Sequence, residues 1–189
     1  MRYLKKILTN AEMEIVREAE NPDITLWLFW ACKETAYKVL SKSSSALVFR
    51  PRCWQVKLTR PVNNYGEGEV VVDEAKTIFV QVCLTDAYVH CIGSDELSAL
   101  KKIVWDVNLL KPAGTGTNIN PSVLGRKYLL RRLANTYSLN MESMDVRRAR
   151  KGGELKEPGL YIGGTKAPFD ISLSHDGQFV SYAFIKQFD

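Results

Sequence analysis

The chain has 189 residues, 46% hydrophobic and 25% charged, with a formal net charge of +5 and a pI of about 9.0. That length suits one full domain or two small packed halves, and the composition is that of a globular protein rather than a disordered one. The longest apolar stretch, from Ile24 to Cys32, is too short to cross a bilayer, so a membrane-spanning reading is excluded. Met1 to Lys6 leads into a polar helix without the apolar core or cleavage site of a signal peptide, so a cytoplasmic location is expected. Cys32, Cys53, Cys83 and Cys91 show no CxxC spacing and only two histidines accompany them, so a zinc cage is not expected and the thiols read as reduced core residues. The positive excess suits a phosphorylated ligand, an acidic protein or a nucleic acid and does not choose among them.

In chain order, Thr9-Asn10-Ala11-Glu12 is a capping box and predicts a helix over 10–20. Asn21-Pro22-Asp23 ends it, and Asp23 is placed to cap a second helix reaching about Ser41. Strands are predicted at Ala46–Phe49, Cys53–Leu58, Glu69–Asp73, Thr77–Leu84 and Tyr88–Ile92. Ser94-Asp95-Glu96 starts a predicted helix running to Val107, with apolar residues at helical spacing. Lys111 to Thr117 is the one clear linker; its glycines complete neither GxxxxGK nor GxGxxG. Asn120 caps and Pro121 opens a helix to Tyr137, followed by two short strands, a Gly163-Gly164 turn and a closing hairpin over 169–185. The two halves end alike, Val82–Ile92 and Ile171–Ala183 both reading as strand, turn and strand. This suggests an internal repeat with a ligand cleft between the halves.

Ile24 to Cys32 is apolar around its whole circumference, which predicts a helix packed on every side. Lys33, Glu34 and Lys38 then interrupt it, with Trp30, Glu34 and Lys38 along one stripe. Spacing alone allows a plain solvated Glu–Lys pair. It also allows a carboxylate and two ammonium groups facing a cleft, where they would serve Mg2+, a proton or phosphate. In the closing hairpin Phe169, Ile171 and Leu173 alternate inward, Ser172 and Ser174 face the other way, and His175 falls at the turn. Two basic runs, Arg126-Lys127 with Arg131-Arg132 and Arg147 to Lys151, carry no RNP, KH or zinc-finger pattern. They read first as solvated faces, with a nucleic-acid-binding module the weaker alternative.

Trp30-Ala31-Cys32-Lys33-Glu34-Thr35-Ala36-Tyr37-Lys38 resembles the WxxKEAxxK helix of the 4'-phosphopantetheinyl transferases, with threonine where alanine is usual. Ser172-Leu173-Ser174-His175-Asp176-Gly177 resembles that family's SxSH(D/S)G strand and turn. In the larger members the SH turn precedes the WxxKE helix; here the order is reversed, so the chain resembles a permuted two-half enzyme. The resemblance implies an α+β fold of two similar α/β halves with pseudo-twofold symmetry, 1–112 carrying the WxxKE helix and 113–189 the SHD hairpin. It implies transfer of 4'-phosphopantetheine from coenzyme A to a serine of an acyl or peptidyl carrier protein, with Mg2+. By resemblance Glu34 is metal ligand and base, Lys38 stabilises the phosphate charge, and Lys33, Arg126, Lys156, Ser174 and His175 hold the cofactor. The family's GxDxE segment has no counterpart, which leaves Glu34 the single implied metal ligand; Ile92-Gly93-Ser94-Asp95 is a faint echo of it. A degenerate relative that binds coenzyme A without transfer is the alternative, and the sequence leaves the oligomeric state open.

Overall fold

A computed structural model describes residues 4–43, 47–59, 64–110, 120–151 and 154–187. Within them the chain is mixed α+β, with five α-helices and two antiparallel sheets. No helix among these residues is long and apolar enough to cross a membrane. The chain divides into two compact units, Met1–Lys102 and Ile103–Asp189.

The first unit opens with α1 (Leu4–Ile7) and α2 (Asn10–Glu18). The capping box is present: Glu12 N–H donates to Thr9 Oγ1 at 3.2 Å, and Thr9 N–H donates to Glu12 Oε2 at 2.8 Å. The long helix α3 spans Pro22–Ser43. Its cap is Asn21 rather than Asp23, because Ile24 N–H donates to Asn21 Oδ1 at 3.1 Å and Pro22 takes the first helical position. Four strands follow, β1 (Gln55–Leu58), β2 (Tyr65–Asp73), β3 (Lys76–Leu84) and β4 (Val89–Ser94), each pairing antiparallel with the next.

The expected strand at Ala46–Phe49 does not form over 47–49; Ala46 lies outside the described residues. Phe49 instead plugs an aromatic cluster, its ring centroid 5.8 Å from Trp30, 4.9 Å from Tyr37 and 5.4 Å from Trp54. Nor is α3 packed on every side. It buries one stripe, Phe29, Cys32, Lys33, Ala36 and Leu40, in the core that holds Val70, Ile78, Val80 and Val82. Trp27 stays 55% exposed, because one sheet covers one face of a helix.

α3 rests on β3 and β4 and approaches β4 closely. Thr35 Oγ1 donates to the Cys91 carbonyl at 3.1 Å. A Cβ at Gly93 would lie 2.8 Å from the Thr35 methyl and 3.1 Å from the Phe79 carbonyl oxygen, so the missing side chain is what admits the helix.

The expected helix to Val107 is cut short. Only Leu97–Leu100 forms a helical turn, α4, and Val104–Leu109 is strand β5, because this alternating segment pairs with a later strand. β5 therefore belongs to the second unit, and the division falls at 102/103 rather than 112/113. The Lys111–Thr117 linker lies outside the described residues. Helix α5 (Pro121–Tyr137) starts where Asn120 Oδ1 accepts from Ser122 N–H at 3.0 Å, and ends at Ser138 in a left-handed conformation, φ 53°. β6 (Met144–Lys151), β7 (Glu154–Ile162), β8 (Thr165–Asp176) and β9 (Phe179–Lys186) complete a sheet in the order β5-β9-β8-β7-β6. Leu129 and Leu133 of α5 are buried with Val146, Leu160, Phe169, Ile171 and Phe184.

Each unit thus repeats one order of elements: a long helix, a single tight turn (Pro51–Cys53 or Met141–Ser143), then a four-stranded antiparallel meander with the helix against its last two strands.

The close approach at β4 predicts that Gly93→Ala costs about 1–3 kcal/mol in urea unfolding, as overpacking does. Gly159→Ala, whose added Cβ meets neighbours at an ordinary 3.4 Å or more, serves as the control and is expected to cost less.

Candidate functional site

The segment Trp30–Lys38 lies wholly within α3, so helix geometry divides its charges. Lys33 is fully buried. Its ammonium donates to Glu12 Oε2, to the Ile7 carbonyl at 3.0 Å and to the Pro51 carbonyl at 2.9 Å, which uses all three of its hydrogens. Burial pushes the Lys33 pKa below its ordinary value, and the Glu12 carboxylate opposes that fall. Glu12 is 2% exposed, and its other oxygen, Oε1, accepts from Val56 N–H of β1 at 3.0 Å. The expectation that Lys33 faces a ligand is therefore corrected: its charge is committed inside the core, where a bare ammonium would be prohibitively costly.

Glu34 and Lys38 stand elsewhere on the helix. Glu34 Oε1 lies 2.9 Å from Lys38 Nζ, and the side chains are 41% and 38% exposed. Solvent screens such a pair to about 0.3–0.5 kcal/mol, so it contributes little to stability and both groups remain within reach of a ligand. Thr35 bonds α3 to β4 through the Cys91 carbonyl.

In the second unit, Phe169 and Ile171 are buried and Leu173 half-buried, as the alternation predicts. Ser174 Oγ lies 3.1 Å from Ser181 Oγ across the β8–β9 pair. His175 is exposed and is a strand residue opposite Val180; the turn itself follows at Gly177, φ 50°. By the pleat, His175 shares the face of Ile171 and Leu173, on which α5 lies. A Cβ at Gly125 would touch Leu173 and Val180, at 3.7 and 3.9 Å, so the exposed Arg126 beside it belongs to this end of the unit. Lys156 precedes Gly159, the β7 partner of Asp170, and so stands on the strand toward the same end, although its side chain lies outside the described residues. His175 and Arg126 thus lie toward one end of the α5-covered face, whereas Ser174 stands on the opposite face of β8, beside Ser181.

Charge follows the same division. Lys and Arg outnumber Asp and Glu by 12 to 8 in residues 103–189, but only by 14 to 13 in residues 1–102. The positive excess therefore sits mainly in the unit that carries the phosphate-binding candidates. On β6, Arg147 bonds Asp145 at 2.8 Å and lies 4.8 Å over the Tyr161 ring. The Arg147 guanidinium holds the Asp145 carboxyl below its usual range.

The resemblance makes Glu34 the implied Mg2+ ligand. Mg2+ takes one or two carboxylates and completes its octahedron with water and substrate phosphates. The Glu34 carboxylate is already paired with Lys38, and no group of three or more His, Cys, Asp or Glu side chains clusters among the described residues.

Comparison with known proteins finds no family model, no curated protein and no solved structure that matches the chain.

Sequence reasoning did not assign Glu12 beyond its cap, nor Thr35 as a helix anchor. The available signal was a lysine on the stripe that the hydrophobic pattern assigns to the core, which demands a carboxylate partner. Lys33→Met is expected to cost about 3–5 kcal/mol in urea unfolding, because it strands the Glu12 charge in the core. Lys38→Met on the same helix is expected to change stability by about 0.5 kcal/mol or less.

Proposed function

We propose that the chain binds coenzyme A and transfers its 4'-phosphopantetheine arm to a serine of an acyl or peptidyl carrier protein. The placement of His175 and Arg126 toward one end of the α5-covered face of the second unit carries this reading. The family resemblance assigns both to the cofactor phosphates, and the second unit holds most of the positive excess. The repeated order of helix, turn and meander supports the two-half transferase fold, with the pseudo-twofold relation that fold implies.

In this reading the carrier serine oxygen attacks the phosphorus that bears the pantetheine arm. A new P–O bond forms, the pyrophosphate P–O bond breaks, and 3',5'-adenosine bisphosphate leaves. Lys38 neutralises charge on the phosphate oxygens, and Glu34 accepts the serine proton. Lys33 takes no part in the chemistry; it fixes α3 so that Glu34 and Lys38 point outward. His175 and Arg126 donate hydrogen bonds to phosphate oxygens.

The pairing of Glu34 with Lys38 favours one second reading, in which coenzyme A binds and no transfer follows. Calorimetry with coenzyme A and transfer of a fluorescent pantetheine analogue to a carrier domain, each with and without Mg2+, separate the two. The proposal expects His175→Ala to weaken coenzyme A about tenfold, the effect of one charge-assisted hydrogen bond. It expects Glu34→Gln to abolish transfer while binding persists. Binding without transfer in wild type establishes the second reading, and no coenzyme A binding at millimolar concentration defeats both.

A further inference from the structure

Cys32 and Cys91 bring two free thiols together inside the first unit, their sulfurs 3.9 Å apart. Cys32 lies on the core-facing stripe of α3 and is fully buried, while Cys91 on β4 is partly exposed. Their backbones are held by two independent contacts. Thr35, one helical turn beyond Cys32, bonds the Cys91 carbonyl itself, and side-chain-less Gly93 lets the helix close on the strand. We propose that Cys32 and Cys91 form an oxidisable dithiol site that takes a hydroperoxide and closes to a disulfide tying α3 to β4.

The step balances without any further reagent. The partly exposed Cys91, as its thiolate, attacks the peroxide. An S–O bond forms, the O–O bond breaks, and the chain is left with a sulfenic acid while an alcohol, or water from hydrogen peroxide, departs. Cys32 then attacks the Cys91 sulfur. The S–S bond forms, the S–O bond breaks, and hydroxide leaves as water with the proton from Cys32. Two thiols lose two electrons and the peroxide gains them.

The sulfurs must close from 3.9 Å to about 2.05 Å, a side-chain rotation between elements already in contact. Burial and the hydrogen bond from Cys91 keep the Cys32 thiol protonated well above its usual range, with the hydrogen bond the larger cause. That suits a resolving thiol rather than the one that meets peroxide first. The bridge would close the long loop between α3 and β4 and fasten the helix that carries Glu34 and Lys38.

The test uses the full chain with Cys53→Ser, which removes the exposed thiol. It is treated with hydrogen peroxide, alkylated, digested and mapped by mass spectrometry, and melted in parallel with and without dithiothreitol. The proposal expects a Cys32–Cys91 disulfide peptide that dithiothreitol removes. It also expects a Tm raised by roughly 5–10 °C in the oxidised form, with both effects absent from Cys91→Ser. Cys91 recovered as sulfinic or sulfonic acid beside an alkylated Cys32 overturns the proposal. So does a bridge that forms only through Cys83. The presence or absence of the Cys32–Cys91 peptide in the oxidised Cys53→Ser chain decides the matter even where Cys91→Ser fails to fold.

Discussion

The first unit is organised around one buried ion pair, Glu12 with Lys33. The pair gathers four pieces of chain: the end of α1 through the Ile7 carbonyl, the start of α2 through Glu12, α3 through Lys33, and the Pro51 turn through its carbonyl. A fifth contact, Val56 N–H to Glu12, carries it into the sheet. Two charges removed from water are stable only when every donor and acceptor is matched, as they are here. Such an arrangement tolerates little rotation of α3. With Lys33 pinned inward, helix geometry turns Glu34 about 100° away, and Lys38 follows it one turn later. Neighbouring residues of one motif thus divide the labour, the first lysine holding the helix and the next two charges meeting solvent.

That division explains what could be read from the sequence. Caps and turns are local, so the start of α2 at Thr9, the start of α5 at Asn120 and the Gly163-Gly164 turn were all legible. The alternation of Phe169, Ile171 and Leu173 likewise fixed the inward face of β8. What failed was decided by partners distant in the chain. Val104–Leu109 satisfies a helical spacing as well as an alternating one, and only pairing with β9 resolves it. Phe49 looked like a strand residue, yet three aromatic rings from other segments claim it. Lys33 looked like a ligand group because no local rule reveals that Glu12, 21 residues earlier, lies beneath it.

Of the residues that the motifs single out, Glu34, Lys38, Ser174 and His175 all reach solvent, whereas Lys33 is buried. The spacing already allowed a solvated Glu34–Lys38 pair, but which unit holds the positive excess depends on where the fold divides. Glu34 is paired with a cation instead of clustered with other acids, and the positive excess gathers in the second unit, where Arg126 and His175 share one end.

The claim beneath this account is that the two lysines of one helix motif inhabit opposite environments. Amine labelling of the native chain with a small acylating reagent, read residue by residue in a mass spectrometer, measures that directly. The account predicts rapid modification of Lys38, with Lys33 protected until the chain unfolds. Equal labelling of both amines under native conditions would contradict the buried pair and the orientation of α3 derived from it.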